Sequence, residues 1–382
     1  MKVKTINITP EEKVFIQILQ DHLHRQKTLI SENVDWDIIY NYSKQHQVEA
    51  IVYYQTKKED LRKSYFVALY YAFNRKLLLK QLFSEITTAY VIVKGIEVAK
   101  LYPVPELRTM GDIDIVARNR EEFHNAFIKL GSIVDLNKKD WEWHYHKSEI
   151  NIELHDRLVY KETVNDNIKQ VTFFNNLWIY VQDNKLDWNF HFMFLIYHLK
   201  KHIMNSGVGF RQFLDIAVVM KYVDLDWTWI SEKLDEIELL PFTCVVLGFI
   251  KKWFDVEGEI EATLIEDDFY YEATKKIFKD GVFGFNNEEN KKAIVINETI
   301  RQGKIAQFKT LVKKVFPSYE YMCATPHYAW IKKRIILLPV AWAYRWFRGF
   351  MKFDSRMEFL KSSFVRNEKI EKREAMYRKW KL

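Results

Sequence analysis

Asp112-Ile113-Asp114 is the stretch of this 382-residue chain best suited to chemistry. On a β-strand side chains alternate, so residues two apart share a face. The two carboxylates then point one way while Ile113 and Ile115 point into a core. Adjacent like charges repel, and a cation between them favours the ionised form of both. Oxygen ligands at this spacing suit Mg²⁺ or Mn²⁺ rather than zinc. A bare Asp-x-Asp also describes an exposed edge strand with acids on its solvent face, so the neighbours decide. Upstream, Val91-Ile92-Val93 runs into Lys94-Gly95, a strand ending at a residue with no side chain to keep a phosphate from backbone N–H groups. Downstream, Ile152-Glu153-Leu154 sets a third acid between two apolar residues. A strand, a Gly turn, a strand with two acids and a later strand with one are the parts of a two-metal phosphoryl-transfer site.

The elements that must position these residues follow from periodicity and punctuation. Thr9-Pro10-Glu11-Glu12 reads as a helix start with a capping box, followed by Phe15, Ile18, Leu19 and Leu23 at helical spacing. Residues 36–54 and 64–88 read as further helices. The second is long and amphipathic, with Phe66, Leu69, Tyr70, Phe73, Leu77 and Leu78. From Tyr90 the texture changes to short β-branched or alternating runs at 90–93, 113–116, 132–136, 141–146 and 150–154, with a helix over 120–130. Gly95, Pro103, Pro105 and Gly111 fall in one short window of a chain with eleven Gly and seven Pro, marking unusual backbone there. Beyond Trp188 helices return, most clearly at 191–205 and 210–223. The predicted architecture is α+β and predominantly helical. A small mixed-sheet core (89–165) is flanked by N-terminal (1–88) and C-terminal (166–382) helical regions.

Composition bounds the alternatives. So few Gly and Pro argue against β-sandwiches, low-complexity disorder and Gly-rich dinucleotide folds. Two cysteines exclude a disulfide framework or a Cys-rich zinc site. The net charge of +7 is mild and concentrated near the C-terminus, so it is no signature of nucleic-acid binding. The charged N-terminus lacks a signal-peptide core, and the apolar run 335–344 is too short to span a bilayer, so a cytoplasmic protein is expected. Trp330, Trp342 and Trp346 sit at core-like spacings. Segment 332–352 is expected to be a buried helix in preference to an interfacial one on an anionic membrane, and the tail from residue 354 a solvated helix.

Taken jointly, Lys94-Gly95, Tyr102-Pro103-Val104-Pro105, Leu107-Arg108, Gly111-Asp112-Ile113-Asp114 and Ile152-Glu153-Leu154-His155 resemble the uncharacterised bacterial nucleotidyltransferase family of the DNA polymerase β superfamily. Gln45-His46-Gln47-Val48 resembles that family's N-terminal helical region. His198-Leu199-Lys200-Lys201-His202 and Arg211-Gln212-Phe213-Leu214-Asp215 resemble its C-terminal helical signature. Leu337-Leu338-Pro339 with Trp342 and Arg345 is a weaker match. The resemblance implies attack of an acceptor hydroxyl on the α-phosphate of an NTP, with release of pyrophosphate. Asp112 and Asp114 would hold two Mg²⁺ or Mn²⁺, with Glu153 holding the attacking-side metal or taking the hydroxyl proton. Lys94 and Gly95 would face the triphosphate. One departure is that Ile96 follows Gly95 where the superfamily has Ser or Gly, leaving Lys94, Arg108 or Thr109 to replace that phosphate contact.

Arg108 is either a phosphate ligand or a structural partner of Glu106 or the Asp pair. His198 and His202 share a helix face. Packing is their ordinary role, and the resemblance favours a site-facing His202. Arg211 and Asp215 form an intrahelical pair or, if buried, Arg211 reaches phosphate or base. His155 orients Glu153 or ends the strand, and His144 with His146 lies on one face of a half-buried strand. The acceptor class stays open among small molecule, sugar, peptide and protein. The competing function is a nucleotidyltransferase-like module that binds nucleotide, protein or nucleic acid without turnover.

Overall fold

The computed structural model describes residues 7–30, 33–135, 142–147, 149–159, 167–205, 207–282, 312, 315–324, 326–332, 334–350 and 367–382. Its N-terminal helices are α1 (Pro10–Leu23), α2 (Trp36–Gln45), α3 (Glu49–Thr56) and α4 (Arg62–Phe83). The capping box forms as its residues require, with the Thr9 N–H donating to Glu12 Oε2 at 2.8 Å and the Glu12 N–H to Thr9 Oγ1 at 3.3 Å. Residues 36–54, expected as one helix, are two, because Gln47 between them takes φ 54°, which no right-handed helix continues through. In α4 the expected apolar stripe divides, with Leu69 packed on the large apolar cluster. Phe66, Tyr70, Phe73 and Leu77 are exposed, whereas Leu78, Leu79 and Leu82 enter the apolar cluster behind the sheet.

The sheet comprises β1 (Tyr90–Val93), β2 (Asp112–Ala117), β3 (Ile133–Asp135), β4 (Glu142–Lys147) and β5 (Ile150–His155), in the order β1-β2-β5-β4-β3. β2 and β5 pair in parallel and the other neighbours are antiparallel, so the sheet is mixed. Two short helices, α5 (Gly95–Ala99) and α6 (Arg120–Lys129), follow β1 and β2. Ile113, Ile115, Ile152, Leu154 and Tyr145 cover one face and pack on Phe123 and Phe127 of α6. Residues 136 and 141, read as strand, lie outside the described residues.

The other face is closed by C-terminal helices. After α7 (Ile168–Asn175) and the hairpin β6 (Val181–Gln182) and β7 (Lys185–Leu186) come α8 (Trp188–Asn205) and α9 (Phe210–Tyr222). Then follow α10 (Trp227–Glu236), α11 (Leu240–Phe254) and α12 (Asp267–Asp280), and beyond them α13 (Tyr319–Ala324), α14 (Leu338–Phe350) and α15 (Asn367–Trp380). One apolar cluster draws on both helical regions. Phe15 of α1 meets Phe210 of α9 at 5.7 Å and Phe278 of α12 at 5.5 Å, both edge-on.

The C-terminal expectations need correction. Trp380 of α15 stacks on Phe249 at 4.8 Å, and Met376 and Tyr377 are buried, so this part of the tail docks rather than lying solvated. Residues 354–366 lie outside the described residues. Trp330 and Trp346 are substantially exposed, as are Ile335, Ile336, Val340 and Phe347, so the described part of segment 332–352 is not a buried helix. Pro339 sits in the first turn of α14 and starts it, the position where a missing N–H costs nothing. No helix among the described residues is long and apolar enough to cross a membrane.

Two buried imidazoles in this helical body predict acid sensitivity. Among the described residues, neither ring nitrogen of His22 has a hydrogen-bond partner, nor does Nε2 of His46. Burial pushes His22 down to about 4 and His46 to about 3. A depressed histidine pKa stabilises the fold fully above about pH 6.5, the unfolded value. That contribution is lost as pH falls from there towards 4. The expected result is an unfolding free energy in urea that is flat from pH 8 to 7 and drops below pH 6, by a few kcal/mol in all. An unchanged free energy at pH 5 would contradict it.

Candidate active site

Strand register assembles the site. Asp114 of β2 lies directly opposite Glu153 of β5, and Glu153 lies directly opposite His144 of β4. Two residues further along the same face, His155 of β5 is opposite Glu142 of β4. Alternation therefore puts five polar residues on the face away from Ile113 and Ile152, with Asp112 one pleat from Asp114. Glu153 does converge with Asp114. His155 Nε2 is 3.5 Å from Asp114 Oδ1 and 3.7 Å from Glu153 Oε2, and His144 Nδ1 is 3.4 Å from Glu153 Oε1. His144 Nε2 also contacts Glu142 Oε1.

The floor of this face opens into a continuous cleft under α8 and α9. One part, of about 330 Å³, reaches Gly95, Arg108, Asp112, Arg211 and Asp215. The other, of about 270 Å³, reaches Glu142, His155, Phe194, Tyr197 and Lys201. Lys94, Asp114, Glu153, His198 and His202 border both. A smaller cavity of about 90 Å³ lies under α15 against Ile203, Ile277 and Trp380, away from these acids.

The electrostatics are those of crowded negative charge. Glu153 is raised to about 7, by burial first and then by Asp112 and Asp114. Asp112, exposed to the cleft yet surrounded by protein atoms, is also raised, by burial and by Asp114. Asp114 is only 6% exposed. Burial acts to raise it, but Lys94 and His155 outweigh burial and hold it below the carboxylate range. Lys94 Nζ sits 2.7 Å from Asp114 Oδ1 and 3.5 Å from His198 Nε2. Lys94 and Arg211 against Asp112, Asp114, Glu153 and Glu142 leave an excess of negative charge, which a divalent cation fits better than any neutral group.

The turn after β1 is unusual at a different residue from the one expected. Lys94, not Gly95, takes positive φ, at φ 58° and ψ −126°, a region costly for a side-chain-bearing residue. Its N–H is held by Nε2 of His191 at 2.9 Å and is thus unavailable to a phosphate. His191, stacked on Trp188 at 4.9 Å, is pushed down to about 3 by burial and stays a neutral acceptor. Gly95 sits in a close approach instead: a Cβ there would lie 3.3 Å from Arg108 Nη1 and from Met110 Sδ, which would have to give by a few tenths of an ångström. Gly111 has no such neighbour.

Arg108, open in the sequence between phosphate ligand and structural partner, is buried and pairs with Asp215. Its Nε and Nη2 donate to the two oxygens of Asp215 at 3.1 and 2.6 Å, and Nη1 donates to the Thr109 carbonyl at 3.1 Å. Tyr102 donates to Asp215 Oδ1 at 2.7 Å. Asp215 thus pairs with Arg108 rather than with Arg211 one turn earlier, because the β1–β2 connection lies across that face of α9. Thr109 is also spent, its Oγ1 donating to the Gln47 carbonyl at 2.6 Å.

Arg211 borders the cleft. Its Nη1 donates to the Thr109 carbonyl at 3.1 Å and to Gln47, while Nε is buried without a partner among the described residues. Burial and the neighbouring Arg108 lower it to about 10, the mark of a cation short of counter-charge. His198 and His202 stack at 4.5 Å on the cleft wall. Both are depressed by burial and then by Lys94, His202 to about 4. Sequence reasoning missed Glu142, His144 and His191 as members of this neighbourhood. The alternation of 141–146 carried the signal for the first two, but which face met Glu153 depended on strand order.

No curated protein and no solved structure matches the chain. Residues 32–255, which span α2 to α11 and therefore every element lining the acids, match the family model described as uncharacterised nucleotidyltransferase. The chain belongs to that uncharacterised nucleotidyltransferase family.

Proposed function

We propose that the protein transfers a nucleoside monophosphate from an NTP to an acceptor hydroxyl, with divalent cations held by Asp112, Asp114 and Glu153. The observation that carries this reading is the direct pairing of Asp114 with Glu153 across two parallel strands, with Asp112 beside them on the same face. Divalent cations there supply neutralisation of the leaving pyrophosphate and activation of the acceptor oxygen. Arg211, which borders the cleft with Asp112, would take phosphate charge on one side of the acids. Lys94 is the ammonium that a triphosphate draws away from Asp114. The neutral imidazole of His202 offers a hydrogen-bonding wall to the nucleotide. Arg108 serves by fixing α9, and so Arg211, against the β1–β2 connection.

A second reading, a nucleotide-binding module without turnover, is favoured by the Lys94–Asp114 ion pair. Calorimetry and a pyrophosphate assay separate the two. Transfer predicts Mg²⁺- or Mn²⁺-dependent NTP binding that is lost in Asp112→Ala and Asp114→Ala variants with intact melting transitions, together with pyrophosphate release when a panel of sugar, small-molecule and peptide hydroxyls is supplied. Metal-independent binding that persists in both variants sinks the transfer reading.

A further inference from the structure

We propose that Glu142, His144 and Glu153 form a cation subsite of their own beside Asp114, Glu153 and His155, with Glu153 bridging the two. The pair then makes a mixed imidazole–carboxylate centre that takes a borderline first-row divalent cation in preference to Mg²⁺. This rests on the proposed function for one element alone, a cation at Asp114 and Glu153.

The symmetry of the donor set carries the inference. Each group consists of one terminal carboxylate, one imidazole and one oxygen of the same glutamate. Within each group, one ligand atom per residue can be chosen so that all lie within 4.8 Å of one another. The two oxygens of Glu153 are divided between them: Oε1 faces His144 Nδ1 at 3.4 Å and Oε2 faces His155 Nε2 at 3.7 Å. Donors about 2.1 Å from a common ion stand roughly 3.0 to 3.4 Å apart, depending on coordination angle. The His144–Glu153 and His155–Glu153 separations are close to the edges of such a polyhedron, whereas Glu142 faces the other ring nitrogen of His144 and has to swing round to share an ion with Nδ1.

The sheet explains why the arrangement is preformed. Asp114, Glu153 and His144 are direct cross-strand neighbours on β2, β5 and β4, and Glu142 and His155 form the next row. Trp143 and Tyr145, on the opposite face of β4, anchor that strand in the apolar cluster. His144 is 5% exposed, and its two ring nitrogens each face a carboxylate. Burying an imidazole between two acids needs a positive charge there, which a proton or a metal ion supplies. The first is a salt bridge; the second is a site. Imidazole nitrogens disfavour Mg²⁺, which keeps oxygen ligands, and admit Mn²⁺, Fe²⁺ or Zn²⁺.

Titration of the full chain with Mn²⁺ alone, followed by electron paramagnetic resonance, tests this. The expected result is two Mn²⁺ bound per chain, with ¹⁴N modulation from imidazole in the pulsed spectrum and retention against a large excess of Mg²⁺. His144→Gln and Glu142→Gln each reduce the stoichiometry to one, weakening the second ion by about 100-fold or more. A single bound Mn²⁺, an absence of ¹⁴N modulation in the wild-type spectrum, or two ions retained in Glu142→Gln overturns the proposal. The wild-type spectrum alone decides the matter should the buried His144→Gln variant fail to fold. Pyrophosphate release by a chain binding one oxygen-ligated ion would retire the subsite and leave nucleotidyl transfer standing. Two nitrogen-ligated ions without any pyrophosphate release would do the reverse.

Discussion

Asp114→Asn yields a folded protein whose pyrophosphate release is reduced by about 10³-fold or more, a loss of roughly 4 kcal/mol of transition-state stabilisation. Asp114 is the carboxylate from which the site is organised: Lys94, His155 and Glu153 all face it, and it sits mid-sheet between β1 and β5. An amide of the same size keeps the packing but removes the charge that a divalent cation requires. The attraction of Lys94 and His155 that holds Asp114 ionised is lost, but the substitution also removes repulsion with Asp112 and Glu153, both raised in part by Asp114. That relief offsets part of the cost of leaving Lys94 with a weaker counter-charge. The prediction is therefore a dissociation, with activity abolished and the thermal midpoint within a few degrees of wild type. Calorimetric melts and a pyrophosphate assay on the same preparation check it. A collapsed melt would make the cluster a structural ion pair with Lys94, and wild-type turnover would remove Asp114 from the chemistry.

The opposite dissociation is expected at Asp215. Arg108 and Asp215 are 6% and 5% exposed and doubly hydrogen-bonded, with Tyr102 on the same carboxylate. Burial alone would lower the Arg108 pKa, and Asp215 more than restores it, so the pair is strongly coupled. Asp215→Ala leaves a guanidinium buried beside Arg211 and Arg75, both already held down to about 10 by burial and by Arg108. The expected cost is about 3–5 kcal/mol in urea unfolding, with the slope unchanged. A double variant, Arg108→Met with Asp215→Leu, should recover most of it, because hydrophobic replacement of a buried ion pair is often neutral. A loss under about 1 kcal/mol for Asp215→Ala, or no recovery in the double variant, contradicts this account.

The division between what was readable in the chain and what the fold supplied follows from the range of the interactions. Period-two alternation is local, and it was enough to place Asp112 and Asp114 together on one face with Ile113 and Ile115 in the core. The capping box of α1 and the helices expected at 191–205 and 210–223, which form as Trp188–Asn205 and Phe210–Tyr222, rest on contacts a few residues apart, so they were legible too. Glu153 was singled out for a similar reason, as an acid between apolar neighbours.

Which side chains meet across the sheet was decided by strand order. The parallel pairing of β2 with β5, flanked by antiparallel β4, brings His144 and Glu142 to Glu153 across a separation that no local pattern encodes. Arg108 chose Asp215, 107 residues away, over Glu106 beside it, because burial makes a bidentate partner decisive. Lys94 is likewise held in its unusual backbone state by His191 and Asp114, one on α8 and one on β2. Residue types and alternation named the acids, while long-range pairing selected their partners and so set the charge balance on which binding and catalysis depend.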